Sequence, residues 1–113
     1  MSNDQELEEV RKVVTSWFDG EYTMFDSASA EPEIAWAAIL AILSKDLTEE
    51  QRGLLAAGPL ETLLSWHGEA VIDRVVKEGE NNNRFNYLLG GLWPGRIPEQ
   101  VWRRIEKVRR TKW

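Results

Sequence analysis

Leu60-Glu61-Thr62-Leu63-Leu64-Ser65-Trp66-His67-Gly68-Glu69-Ala70-Val71-Ile72-Asp73-Arg74-Val75-Val76-Lys77-Glu78 is the stretch that decides the fold. Leu60, Leu63, Leu64, His67, Val71 and Val75 recur at helical spacing and share one face, with Gly68 beside them. Ile72 and Val76 widen the stripe, and Trp66 points to the other side. A helix apolar over so much of its girth packs against neighbours on two sides, which predicts a layered all-α architecture and not an isolated hairpin.

The flanking sequence supplies those neighbours. Every side chain from Ile34 to Leu43 is apolar, with Pro32 suited to a first helical turn, so a central buried helix is predicted there. Leu7, Val10, Val14, Trp17 and Phe18 form the stripe of a first helix, capped by Asn3 with Glu6 and stopped at Gly20. Residues 19–30 show neither helical nor alternating period and read as the longest loop. Thr48-Glu49-Glu50-Gln51 is a capping box, and Gly58-Pro59 is expected to end the short helix that follows. Asn81-Asn82-Asn83 suits the cap of a helix carrying Phe85, Leu88, Leu89 and Leu92, which Gly90-Gly91 breaks. Pro98 opens a last helix with Val101, Trp102, Ile105 and Val108 inward. No stretch alternates like a strand. The expectation is an all-α fold, one domain over 1–113, of about six helices in a compact, HEAT-like stack of helical hairpins.

Composition narrows function by exclusion. The 113 residues include no cysteine and one histidine, so disulfides, thiolate catalysis, Cys-ligated metals and a His-Glu-x-x-His zinc site are ruled out. No metal or other cofactor is expected. The polar, acidic start lacks the order of a signal peptide, and ten apolar residues fall short of the roughly 20 that span a bilayer. These features predict a cytoplasmic protein. Charge is uneven: residues 96–113 hold seven basic and two acidic residues, net +5, while residues 1–95 carry −10.

The segment Ala57-Gly58-Pro59-Leu60-Glu61, then Leu63-Leu64 and His67-Gly68, resembles a bacterial family described only as a domain of unknown function. Ile72-Asp73, Phe85, Leu89-Gly90-Gly91 and Trp93 are similar to the rest of that pattern, and Trp36 to Leu40 to its first buried helix. The resemblance covers roughly residues 30–105 and omits the first helix. It implies a small α-helical bacterial protein and carries no activity. Gly58, Pro59, Glu61, His67, Gly68 and Gly91 are its motif residues, without assigned roles.

Each motif residue has a structural reading. His67 lies on an apolar stripe, where a hydrogen bond to backbone or a neighbouring helix is the expectation. The competing reading makes it a general base, yet Glu61 and Glu69 sit about 120° and 160° around an ideal helix from it. Glu61 suits the positive end of a helix starting at Pro59. Gly68 suits close helix contact, and Gly90-Gly91 a helix stop. Of six tryptophans, Trp17 and Trp36 fit the core, whereas Trp66 and Trp113 are candidates for a contact surface.

Two surfaces compete for a partner. The run Trp102 to Trp113 reads as a basic amphipathic helix able to meet phosphates or anionic lipid. The −10 of the other residues weighs against nucleic acid and favours neutralisation of that helix within the chain. Asp19, Glu21 and Asp26 instead share a segment with Tyr22, Met24 and Phe25, and acids mixed with aromatic rings suit a basic protein surface. The leading expectation is therefore a non-enzymatic bacterial protein–protein interaction module with Asp19, Glu21, Tyr22, Phe25, Asp26 and Trp66 as its contact residues. Its concrete form is an immunity protein neutralising a toxin domain. The alternatives are a small enzyme with a His67/Glu61 pocket, and a phosphate or membrane binder using the basic C-terminal helix.

Overall fold

In the computed structural model, residues 3–113 are described, apart from the side chains of Asn3 and Met24. The N-cap expected at Asn3 and the Met24 ring neighbour therefore fall outside the described side chains. The first helix, α1 (Asn3–Phe18), buries Val13 and Trp17, while Leu7 and Phe18 at the ends of the expected stripe stay exposed. It stops as expected at Gly20, whose φ of +86° is open to glycine. There Gly20 N–H donates to the Trp17 carbonyl and Glu21 N–H to that of Ser16, closing a Schellman turn.

The segment expected as a loop contains a helix, α2 (Thr23–Ser29). Phe25, Ala28 and Ser29 form its buried face. A serine in that face hides the apolar period, yet its hydroxyl donates to the Phe25 carbonyl (2.9 Å) and is satisfied within the helix. Next, α3 (Pro32–Leu43) begins at its proline and is the buried central helix the sequence predicts. The capping box is also present at the start of α4 (Glu49–Leu55): Gln51 N–H donates to Thr48 Oγ1 (3.0 Å) and Thr48 N–H to Gln51 Oε1 (2.9 Å).

No break occurs at Gly58-Pro59. Ala56–Leu60 continues the chain as a π-helical turn into α5 (Glu61–Asn81). In a regular helix the Pro59 ring would collide with the Leu55 carbonyl; the wider π repeat moves that carbonyl aside. Further along, α5 departs from helical geometry at His67 (φ −130°, ψ 22°). After it, α6 (Asn83–Leu89) starts where Asn82 Oδ1 accepts from Phe85 N–H (3.1 Å), and α7 (Glu99–Val108) follows Pro98.

The fold is all-α. The long helices follow one another in space, α1 on α3, α3 on α5 and α5 on α7, with α2 and α6 closing the sides. Gly68 permits the last of these approaches: a Cβ there would meet the Val101 side chain at 3.1 Å. The radius of gyration, 13.2 Å, is that of a compact chain of this length.

The last helix is shorter than expected, ending at Val108 with Arg109 extended (φ −71°, ψ 137°). The cause is Asn86, a buried polar residue of α6. Its Nδ2 donates to the Gly79 and Val108 carbonyls (2.9 Å each), and its Oδ1 accepts from Arg110 N–H (2.9 Å). These bonds replace the helical ones and turn residues 109–113 back over α6. Trp113 then donates from its backbone N–H to the Gly90 carbonyl (3.0 Å) and from Nε1 to the Tyr87 carbonyl (2.9 Å). Gly90 and Gly91 make room for this tail, since a Cβ would stand 2.4 Å from the Thr111 oxygen or 2.6 Å from the Trp113 ring.

Candidate functional site

Three elements converge around the π-turn. The end of α1, the start of α2 and the junction of α4 with α5 enclose a mostly apolar groove of about 300 Å³. Trp17 and Phe25 contribute from the buried side, Tyr22 and Leu54 from exposed positions, and Gly58 and Pro59 from the π-turn itself. Asp26 and Thr62 supply polar groups in the lining. A π-turn of this kind recurs at functional sites because it offsets side chains from the regular helical rows.

His67 holds one wall of the groove in place. The departure from helical geometry there brings its Nε2 within 2.7 Å of the Ser29 carbonyl, to which it donates. That bond pins the C-terminal end of α2 to α5. The single imidazole is thus engaged with backbone and meets no carboxylate among the described residues. Glu61 is not at a free helix N-terminus, because the π-turn runs into α5 without interruption; its carboxylate lies beside the Gly95 turn. Glu61 and His67 do not form a pair. Among the described residues no group of three or more His, Asp or Glu is placed to hold a metal ion.

The residues expected to bind a partner are distributed as follows. Asp19, Glu21 and Asp26 are exposed and form no ion pair with any described residue. Tyr22 is exposed at the groove and its ring lies 6.3 Å from that of Trp17. Phe25, expected as a contact residue, is 3 % exposed: it belongs to the core and reaches the groove only from its buried side. Trp66 is 58 % exposed, on the helical row that continues one turn beyond Thr62, so it does not pack against a further helical layer.

Of the seven cations in residues 96–113, Arg103, Arg104 and Arg109 pair with carboxylates of the chain, while Arg96, Lys107, Arg110 and Lys112 form no ion pair among the described residues. Arg104 meets Asp73 (2.6 Å), Arg103 meets Glu99 (2.8 Å), and Arg110 donates to Asn83 Oδ1 (3.2 Å) and the Glu80 carbonyl (3.3 Å). The stop expected at Gly90-Gly91 is present, with α6 ending at Leu89, and Gly91 in addition serves as the floor for Trp113. Asn86 and Trp93, the most exposed tryptophan at 72 %, carry structural weight or surface that the sequence reading passed over. A buried asparagine in an exposed-looking Asn-rich run gives no periodic signal, while Trp93 beside Pro94-Gly95 had a turn signal that implied exposure.

A family model of unknown function, DUF6869, matches residues 5–113. The chain belongs to DUF6869. The match takes in α1 and the C-terminal tail, beyond the 30–105 span of the resemblance, so both pack as parts of the family's domain. No curated protein matches the chain, and no solved structure does. No helix is long and apolar enough to cross a membrane among the described residues.

Proposed function

We propose that this DUF6869 protein is a non-enzymatic protein–protein interaction module whose groove between α1, α2 and the π-turn receives a basic segment of another protein. One observation carries the reading: an apolar groove edged by exposed Tyr22 and Leu54 has Asp26 in its lining, with Asp19 and Glu21 exposed on the turn that leads into Tyr22, and none of the three forms an ion pair with a described residue. Aromatic and aliphatic side chains anchor an interface, and unpaired charge steers an oppositely charged partner towards it. Trp66 extends the apolar surface along α5. In its concrete form the proposal is a bacterial, cytoplasmic immunity protein that neutralises a toxin domain.

The test is capture from the source organism's cells with the native chain beside an Asp19→Lys/Glu21→Lys/Asp26→Lys variant. One basic protein, retained by the native chain, released by salt and bound at least about tenfold more weakly by the variant, supports the reading. Its toxicity on expression, relieved by co-expression of the native chain, supports the immunity form. Equal retention by both chains, or no specific partner, overturns the assignment of this groove.

A further inference from the structure

A second cavity, of about 490 Å³, lies on the opposite charge half of the chain, between the turn after α6, the outer side of α7 and the C-terminal tail. Trp93, Trp102 and Trp113 line it together with Glu106, Arg109 and Lys112. Its volume is within the range of small-molecule sites. Three indoles at one cavity offer flat, apolar faces to a planar ligand.

Arg109 is the anomaly. Its side chain is only 7 % exposed, and its Nη1 is shielded from solvent without any hydrogen-bond partner. The guanidinium stacks over the Trp102 ring at 4.8 Å, and its ionic contact with Glu106, at 3.7 Å, is too long for a hydrogen bond. Arginine stays protonated, so this is a buried cation with an unmet donor. Such groups are rare in folded proteins because each costs free energy unless something completes it.

We propose that this cavity binds a small aromatic carboxylate, its ring among the tryptophans and its carboxylate on Arg109. The planar donor fork of arginine matches a carboxylate. Charge selects the class: Arg109 and Lys112 against Glu106 leave one positive charge, which suits a monoanion better than a phosphate dianion. Since Nη1 is closed off, the guanidinium turns towards the cavity on binding, giving up its loose contact with Glu106.

The experiment is a titration of the full chain, ¹⁵N-labelled, followed through its indole N–H signals with phenylacetate, phenylacetamide and phenyl phosphate. Phenylacetate is expected to move the signals of Trp93, Trp102 and Trp113 and to bind at least about tenfold more tightly than the neutral amide, the order of one charge-assisted hydrogen bond. Arg109→Gln is expected to abolish that preference. Because replacing a side chain as buried as Arg109 can itself unfold the chain, Trp93→Ala at an exposed turn is the second variant, expected to keep the fold and to weaken binding roughly threefold to tenfold. Equal binding of acid and amide overturns the proposal. So do tighter binding of phenyl phosphate, shifts confined to Trp17, Trp36 and Trp66, or no shift at about 5 mM phenylacetate, where a site with a Kd of about 1 mM would be mostly filled.

Discussion

At the α1–α2 junction Asp19, Glu21 and Asp26 face solvent with no cation against them, whereas along α7 Arg103, Arg104 and Arg109 each meet a carboxylate of the same chain. The two regions also differ in what holds them. The acidic groove is walled by a seven-residue helix pinned through the bond from His67 to the Ser29 carbonyl. The basic end is fastened by a buried asparagine, two glycines and a tryptophan bonded twice to α6. Net charge in sequence therefore does not say which individual charges are paired in the fold. Residues 96–113 hold three of their seven cations in ion pairs, whereas the three carboxylates of the α1–α2 junction have none among the described residues.

The sharpest way to break this contrast is to release the fastened end. Asn86→Ala removes three hydrogen bonds at once and leaves the Gly79 and Val108 carbonyls and the Arg110 N–H to find other partners. With each unsatisfied buried group costing about 1–3 kcal/mol, some recovered by water, a loss on the order of 2–4 kcal/mol is expected in urea unfolding. A loss below about 0.5 kcal/mol, the range of ordinary surface changes, would mean that Asn86 does not fasten the tail.

Gly90→Ala tests the same fastening by volume. The added Cβ would stand 2.4 Å from the Thr111 carbonyl oxygen, a backbone atom that cannot rotate away. A loss of about 1–3 kcal/mol is expected, the usual range for overpacking. It should be accompanied by faster tryptic cleavage after Arg110 and Lys112, read by mass spectrometry. An unchanged cleavage rate with full stability would show that the tail does not rest on Gly90.

How much of this was legible in the sequence follows the physics of each element. The stripe from Leu60 to Val75, the apolar run from Ile34 to Leu43 and the Thr48–Gln51 capping box depend on neighbours within a few residues, and the structure contains all three. The π-turn at Pro59 escaped, because a proline ordinarily ends a helix and only the surrounding packing makes a wider turn worthwhile. The α2 helix escaped because Ser29 interrupts its apolar face while satisfying itself through the Phe25 carbonyl. The groove was half visible: Tyr22 and the three acids were singled out, but their juxtaposition with Gly58 and Pro59 spans more than thirty positions and belongs to tertiary packing. The C-terminal tail was misread as helix because Asn86, which ends it, lies 22 residues away from Val108.

The smallest effect tests whether paired charge matters for stability anywhere in the molecule. Arg74 of α5 donates through both terminal nitrogens to Glu33 of α3, one bond at 2.9 Å, and this bridges the two central helices at the surface. The hydrogen bond from Arg74 holds the Glu33 carboxyl below its ordinary value, with attraction to the same charge adding to it and partial desolvation opposing. A carboxylate whose folded-state pKa is depressed adds stability above its unfolded pKa, and that contribution disappears as pH falls through the folded value. Glu33→Gln should therefore cost little at neutral pH, no more than about 0.5 kcal/mol for so exposed a pair. The gap between variant and native chain should close on acidification below the ordinary carboxylate range. A gap that widened with falling pH, followed by urea midpoints from neutral to acidic buffer, would reverse the sign and show that the pair opposes folding. A gap that stayed constant would assign the cost to lost packing and not to charge.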